Sequence, residues 1–265
     1  MHNLMSIPFS LYAPRASGLH DLHPLTKLTL AGFFLFFAIL ASEPWVFYVA
    51  FAALLLPLAM WGRVVRPFLR TTWRVVAPFA LSLILIQGFF WRGGAVLFAF
   101  GPLSMKVNGL IFAVAGIGRI LIVVSSFLLL SLTTRPDALM LALVQRGLPG
   151  NIAYIVLTTL QIVPRFQAKA NTILDAQRSR GLETQGSLIR RLRAIFPLVV
   201  PLVLGSLVDI EERAIALEAR AFSRSGPRTS LFDLPDSRVQ VAFRWALVLV
   251  MVGMAVARVL LVGGF

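Results

Sequence analysis

Two short segments of the chain, residues 176–182 and 216–222, follow one pattern and place an arginine at the same position. The two arginines are 40 positions apart, and a small residue stands on each side of both. A guanidinium offers five N–H donors in a planar fork, which suits carboxylates and backbone carbonyls. The pattern predicts two copies of one docking element, and hence a partner that itself comes as a pair. The two triplets are Ser179, Arg180 and Gly181, and Ala219, Arg220 and Ala221.

A simpler explanation of these arginines is compensation of the helix dipole. A cation at the C-terminal end of a helix contributes about 0.3–1 kcal/mol at an exposed site, and Gly181 is a suitable residue for ending a helix. Dipole compensation does not require small neighbours, however. Small neighbours let a helix end enter a partner's groove closely, where the guanidinium reaches acceptors at the bottom. The repeated small flanks therefore favour docking.

Each of the two segments ends a long helical pattern. The first pattern covers about residues 151–180, where Pro164 predicts a kink, and the second covers about 188–222. The stretch 195–208 is apolar on nearly all sides but short for a span, which predicts buried core. A rival arrangement makes 151–163 and 195–208 a short transmembrane hairpin. A third helix is predicted to begin near Pro136 and to end near residue 147.

The composition is that of an integral membrane protein. Hydrophobic residues make up 58% of the 265-residue chain and the mean hydropathy is +0.85, whereas soluble domains are about 45–50% apolar. A short apolar run at 95–100 predicts a loop or re-entrant piece, because it cannot cross a bilayer. The five longer apolar runs, each a predicted span, are about 25–41, 44–61, 73–90, 110–132 and 241–262.

The net charge of +14 is explained by membrane orientation. Basic residues concentrate between the second and third spans and after the fourth, so the positive-inside rule places the N-terminus and these regions in the cytoplasm. A nucleic-acid partner is not needed to account for the charge. The predicted fold is an all-α integral membrane protein with about five transmembrane helices and a cytoplasmic domain of three helices. Its parts are a membrane domain, 1–132, the cytoplasmic domain, 133–240, and a final transmembrane helix, 241–265.

The sequence lacks the residues that several kinds of chemistry need. It has no phosphate-binding loop, which excludes a Walker ATPase, and no cysteine, which excludes disulfides and thiolate metal sites. The predicted spans contain no Asp, Glu or His in their interior, which disfavours an ion-coupled carrier. Arg119 is the exceptional charge. It either contacts a partner or acts as a structural switch, or it is held by backbone carbonyls near the outer interface. His20 and His23 lack further metal ligands, which favours an interfacial or capping role.

The sequence resembles the T component, the transmembrane scaffold of energy-coupling factor transporters, which are ABC importers for vitamins and transition-metal ions. The two triplets are similar to the family's Ala-Arg-Gly-like signatures, with Ser179 in place of the first Ala and Ala221 in place of the second Gly. Residues 132–137, Leu-Thr-Thr-Arg-Pro-Asp, and the N-terminal stretch 19–27 also resemble the family pattern. The likeness covers nearly the whole chain.

The resemblance implies that each triplet docks in the groove of one of two ABC ATPase subunits, with Gln177 and Glu218 orienting or supplementing the arginines. It also implies a membrane-embedded S component that selects the substrate. Phe196, Val199 and Val203 are candidates for contact with it. The chain would then be a non-catalytic, multi-pass subunit in the bacterial cytoplasmic membrane, binding no cofactor or metal, with ATP used by its partners. The alternative is an autonomous carrier, channel or scaffold without ATPase partners.

Overall fold

The computed structural model describes residues 17–41, 43–91, 93, 95–100, 103–181, 188–222, 224 and 234–263, and these form two compact units. The first unit contains the described residues up to 148 and from 234 onward, and the second contains those between 149 and 233. The helices of the first unit are α1 (Gly18–Asp21), α2 (Pro24–Leu40), α3 (Pro44–Ala50), α4 (Leu56–Trp61), α5 (Val65–Phe90), α6 (Val107–Thr133), α7 (Pro136–Val144) and α10 (Arg238–Gly263). Those of the second unit are α8 (Gly150–Ser179) and α9 (Leu188–Ala219).

The core of the first unit lies where α2, α3, α5 and α6 meet. Phe34, Phe47, Phe68 and Ile122, one from each helix, are almost fully buried there. Helix α6 approaches its neighbours through glycines, as membrane helices commonly do, because a missing side chain lets backbones come close. A Cβ atom added at Gly109 would stand 2.0 Å from the Gln87 carbonyl oxygen of α5.

The prediction of an all-α membrane fold is confirmed. In the described part of the chain, four helical segments are long and apolar enough to cross a membrane: Pro44–Trp61, Val65–Phe90, Val107–Thr133 and Arg238–Leu260. The first of these joins α3 to α4 through a π-helical turn, Phe51–Leu55. The remaining predicted span, residues 25–41, corresponds to α2, whose 17 residues are at the short limit for crossing a bilayer.

Two details of the first unit differ from the sequence prediction. The short apolar run at 95–100 is not a re-entrant piece: Val96–Phe100 (β1) pairs antiparallel with Leu103–Lys106 (β2). Arg66 and Arg70, which the sequence analysis placed between the second and third spans, lie instead on the first turns of α5, which begins at Val65. Pro67 is compatible with this helix, because the N–H groups of a helix's first turn have no partner within the helix and proline is tolerated there.

The second unit is an antiparallel pair of long helices. The rings of Tyr154, near the start of α8, and Phe222, just after α9, lie 4.9 Å apart. Lys169, further along α8, contacts residues 205 and 209 of α9. Later residues of α8 thus meet earlier residues of α9. Helix α8 continues through Pro164.

Helix α7 packs on α2 within the first unit. The predicted domain boundary at residue 133 stays a prediction.

Candidate functional site

The end of α8 turns sharply directly after Arg180. The helix ends at Ser179, the Arg180 N–H donates to the Gln177 carbonyl at 3.1 Å, and the Gly181 N–H donates to the Arg178 carbonyl at 2.9 Å. Gly181 has a φ of +88°, in the left-handed region that glycine adopts without steric cost. Gly181 is therefore the helix-ending residue, as the sequence predicted.

The end of α9 repeats this geometry 40 positions later. The Arg220 N–H donates to the Leu217 carbonyl at 3.2 Å, and the Ala221 N–H donates to the Glu218 carbonyl at 2.9 Å. A further bond of 3.0 Å from the Phe222 N–H to the Leu217 carbonyl completes a Schellman cap. Ala221 has a φ of 55°, although an L-residue there costs roughly 1–2 kcal/mol. The two arginines therefore occupy equivalent positions in two equivalent caps.

Both arginine side chains are exposed, as are the small residues beside them. In the described part of the chain neither the Arg180 nor the Arg220 guanidinium pairs with a carboxylate, whereas Arg178 reaches Asp175 at 3.3 Å. Gln177 is half-buried and Glu218 is exposed. Each cap therefore presents a cation whose donors are available to another molecule.

The structure does not bring the two caps together, because α8 and α9 run antiparallel. Arg180 lies 11 residues beyond Lys169, and Arg220 lies 11 residues beyond Asp209, which Lys169 contacts. At 1.5 Å per residue the two arginines are about 33 Å apart along the helix pair. They form two separate sites facing opposite ends of the pair, rather than one composite site.

Most of the apolar residues described between 196 and 208 of α9 are exposed, and none of them is fully buried. Phe196, Val199 and Val203 are 77%, 43% and 47% exposed, and Leu204 and Leu207 resemble them. The expectation of buried core for residues 195–208 is therefore wrong for the chain by itself. So much apolar surface on one helix is typical of a region that contacts lipid or another protein.

Arg119 stands near the middle of α6 with its side chain exposed. Its guanidinium carbon lies 5.6 Å from the centre of the Phe47 ring, a distance suited to a cation–π contact. In the described part of the chain this contact to Phe47 is found where one alternative expected backbone carbonyls. The other alternative, contact with a partner or a structural switch, stays a prediction.

A polar cluster in the first unit was missed by the sequence analysis. Asp236 accepts hydrogen bonds from Arg244 of α10 and, at 2.9 Å, from Arg146 after α7. The Arg244 guanidinium also lies 3.3 Å from Nδ1 of His23, which in turn accepts from the Leu25 N–H and caps α2. Arg244 stood in a predicted span without any motif around it. The one signal in the sequence was the acidic Asp236, eight positions earlier and just outside that span.

The cluster shifts the protonation of its members. Burial lowers the pKa of His23 from 6.5, and Arg244 lowers it further, although Asp236 opposes the shift. Burial by itself would raise the pKa of Asp236, but the hydrogen bonds from Arg244 and Arg146 outweigh it and lower that pKa. A neutral imidazole and an ionised carboxylate therefore fasten α10 to the start of α2. No group of His, Asp or Glu in the described residues has the arrangement of a metal site.

Comparison with known proteins gives consistent matches over most of the chain. Residues 15–231 match the family described as cobalt transport protein. An energy-coupling factor transporter transmembrane protein of Listeria innocua is 33% identical over 82% of this chain and 85% of its own length. Proteins of the same description from Leuconostoc gelidum and Limosilactobacillus fermentum are each 29% identical, over 92% and 96% of this chain and 93% and 98% of their own.

Proposed function

The chain belongs to the family of transmembrane components of energy-coupling factor transporters, and on that premise we propose that its two arginine caps dock into two ABC ATPase subunits. It is a multi-pass membrane protein and a transmembrane, energy-coupling subunit of a transporter. That this chain is itself non-catalytic is part of the proposal. What the arginines bind, and what the complex carries, belong to the proposal.

The observation that carries the proposal is the equivalence of the two caps. Two hydrogen bonds and the left-handed residue are repeated from one end to the other, and both guanidinia are exposed without a carboxylate partner in the described residues. Two equivalent elements about 33 Å apart suit a partner with two equivalent grooves, such as a pair of ATPase subunits. Because the helices are antiparallel, one approximate twofold axis relates both caps.

The proposed mechanism is mechanical. ATP binding closes the two ATPases on each other, and each cap moves with the groove that holds it. Gln177 and Glu218, one turn inside the caps, lie where they can supplement the arginines. The movement reaches a membrane-embedded S component through the exposed apolar face of α9, for which Phe196, Val199 and Val203 are the proposed contacts. The S component then reorients and releases a vitamin or a transition-metal ion into the cell.

The proposal includes an orientation and a division of labour. The N-terminus and both caps face the cytoplasm of the bacterial cell, where ATP is available. This chain binds no cofactor, and ATP is bound and hydrolysed by its partners. The second candidate, an autonomous carrier or channel, has less support because paired exposed arginine caps would have no purpose in it.

The proposal is tested by reversing one charge at a time. The tagged chain is expressed with its neighbouring genes, and the ATPases that co-purify are quantified for wild type, Arg180→Glu and Arg220→Glu. Reversing a buried interfacial charge costs about 2–5 kcal/mol, so each variant should retain a few per cent of the ATPase at most. Arg165→Glu, an exposed arginine on α8, is the matched control and should retain the wild-type amount. Wild-type yields from both cap variants, or no ATPase with the wild type, would refute the proposal.

A further inference from the structure

One lysine joins the two long helices at a single point. The ammonium group of Lys169 on α8 donates to the Gly205 carbonyl of α9 at 2.7 Å and to the Asp209 carboxylate at 2.7 Å. The bond to a main-chain carbonyl fixes the position of the α9 backbone, while the carboxylate fixes the direction of the ammonium group. Together these contacts define one register between α8 and α9.

The glycine at this point makes room for the lysine. A Cβ atom added at Gly205 would lie 2.8 Å from Nζ and 2.9 Å from Cε of Lys169, closer than such atoms pack. A glycine inside a helix costs roughly 0.5–1 kcal/mol relative to alanine. A Cβ at this position would displace the flexible end of Lys169 and with it the bond to the Gly205 carbonyl. The glycine is therefore what lets the ammonium group reach the α9 backbone.

The contact is at the midpoint between the two arginine caps. Lys169 and Asp209 are themselves 40 positions apart, like Arg180 and Arg220. Each stands 11 residues before the arginine of its own helix, so the helix segment between the contact and each arginine is about 16 Å long. Exchanging the two helices by the approximate twofold axis leaves the Lys169–Asp209 pair in place.

We propose that Lys169, Gly205 and Asp209 form the pivot that holds the two arginine caps at a fixed separation, and that they are positioning residues for energy coupling. The role of the arginine caps in this inference rests on the proposed function. The contact of Lys169 with Gly205 and Asp209 does not depend on it. The ion pair is partly exposed, with 33% and 58% of the two side chains accessible, so it adds little to stability. Its role is register: a slip of one helical turn, about 5.4 Å, would break both bonds and change the separation of the two caps by the same distance.

The absence of cysteine makes the cap separation directly measurable. Cysteines introduced at Ala176 and Ala216, both exposed and one turn before each arginine, carry spin labels for double electron–electron resonance on the purified full chain. We expect one narrow distance distribution for the otherwise wild-type chain. Lys169→Met and Gly205→Val should broaden the distance distribution or shift its mean by several ångströms. Lys169→Arg, which keeps a cation at this position, should give a distribution close to that of the wild type. Arg165→Met, which removes an exposed cation one turn away, is the matched control and should leave it unchanged.

The double exchange of Lys169→Asp with Asp209→Lys separates register from simple charge pairing. It can restore the ion pair but not the bond to the Gly205 carbonyl, so we expect a distribution broader than wild type. In the complete transporter, each cap of a pivot variant keeps its own arginine and should still hold an ATPase subunit. Because the two caps no longer move as one body, the amount of substrate moved per ATP hydrolysed should fall several-fold. Unchanged distances in Lys169→Met and Gly205→Val would overturn the pivot, and so would full recovery by the double exchange. Failure of the proposed function is recognised separately, because the distances are measured without ATPase.

Discussion

Gly181 and Ala221 hold the same left-handed conformation, with φ of +88° and 55°, each directly after the arginine of its helix. Only one of the two is the residue type that this conformation favours. The α9 cap therefore retains strain that the α8 cap lacks. A shared geometry kept at this cost indicates that the direction in which the chain leaves Arg220 matters to what the arginine does.

Exchanging the residue types at these two positions should change the stability of the caps in opposite directions. Ala221→Gly removes the strained Cβ and should stabilise the last turn of α9 by about 1 kcal/mol, while Gly181→Ala should destabilise that of α8 by a similar amount. Amide hydrogen exchange in the last turn of each helix measures both changes, expected as a roughly fivefold slower and fivefold faster rate. Equal rates in all three proteins would show that the left-handed residues do not control the caps.

Bulk beside the arginines distinguishes docking from dipole compensation. Ser179→Trp and Ala219→Trp keep every charge and lie on helical backbone, so both should lower the amount of ATPase that co-purifies. Tryptophan at Gly181 would be a poorer test, because its backbone conformation already excludes a large residue. Thr172→Trp, exposed two turns earlier on α8, is the control. Full ATPase recovery with both flanking tryptophans would favour dipole compensation.

How far the sequence predicted the molecule depended on the range of the interactions involved. The arginine caps were predictable because small residues, an arginine and a helix end are local features. The pairing of Lys169 with Asp209 and Gly205 was not predictable. A contact between antiparallel helices at residues 36 and 40 positions apart produces no periodic pattern in the sequence. The exposure of residues 195–208 was missed for a different reason. A helix whose apolar side chains contact lipid or a partner protein has the same hydrophobic sequence pattern as a helix buried in a protein core.

The close approach of α6 to α5 should depend on Gly109. Its Cβ would stand 2.0 Å from the Gln87 carbonyl oxygen, so Gly109→Ala must push the two helices apart. Overpacking of this kind typically costs about 1–3 kcal/mol. Thermal unfolding in detergent should show a clear loss of stability. Gly253→Ala on α10, where a Cβ meets nothing within 4 Å, is the matched control and should be neutral or slightly stabilising. Equal midpoints for the two variants would contradict this packing.

The polar cluster around His23 should make stability depend on pH. Arg244 and the Leu25 N–H both approach Nδ1 of His23, so this nitrogen must be an unprotonated acceptor. If Nδ1 were protonated, its N–H would face the N–H groups of Arg244 and Leu25, and none of the three could accept a hydrogen bond. The pKa of His23 is lowered in the folded chain because of burial and, beyond that, Arg244. The unfolded chain therefore binds the proton more readily, and the folded state is disfavoured once the histidine titrates.

The sign of the pH dependence follows from these two pKa values. Stability is highest above the unfolded pKa of 6.5 and is lost as the pH falls through the lower folded pKa. Asp236, whose pKa is lowered from 3.8, keeps its contribution until the pH falls below that value. Between pH 7.5 and 4.5 the thermal midpoint in detergent should therefore decrease, and His23→Gln, which can still accept hydrogen bonds but does not titrate, should reduce the slope. A slope identical to that of the wild type would mean that His23 is already protonated or that its contacts do not hold α10 to α2.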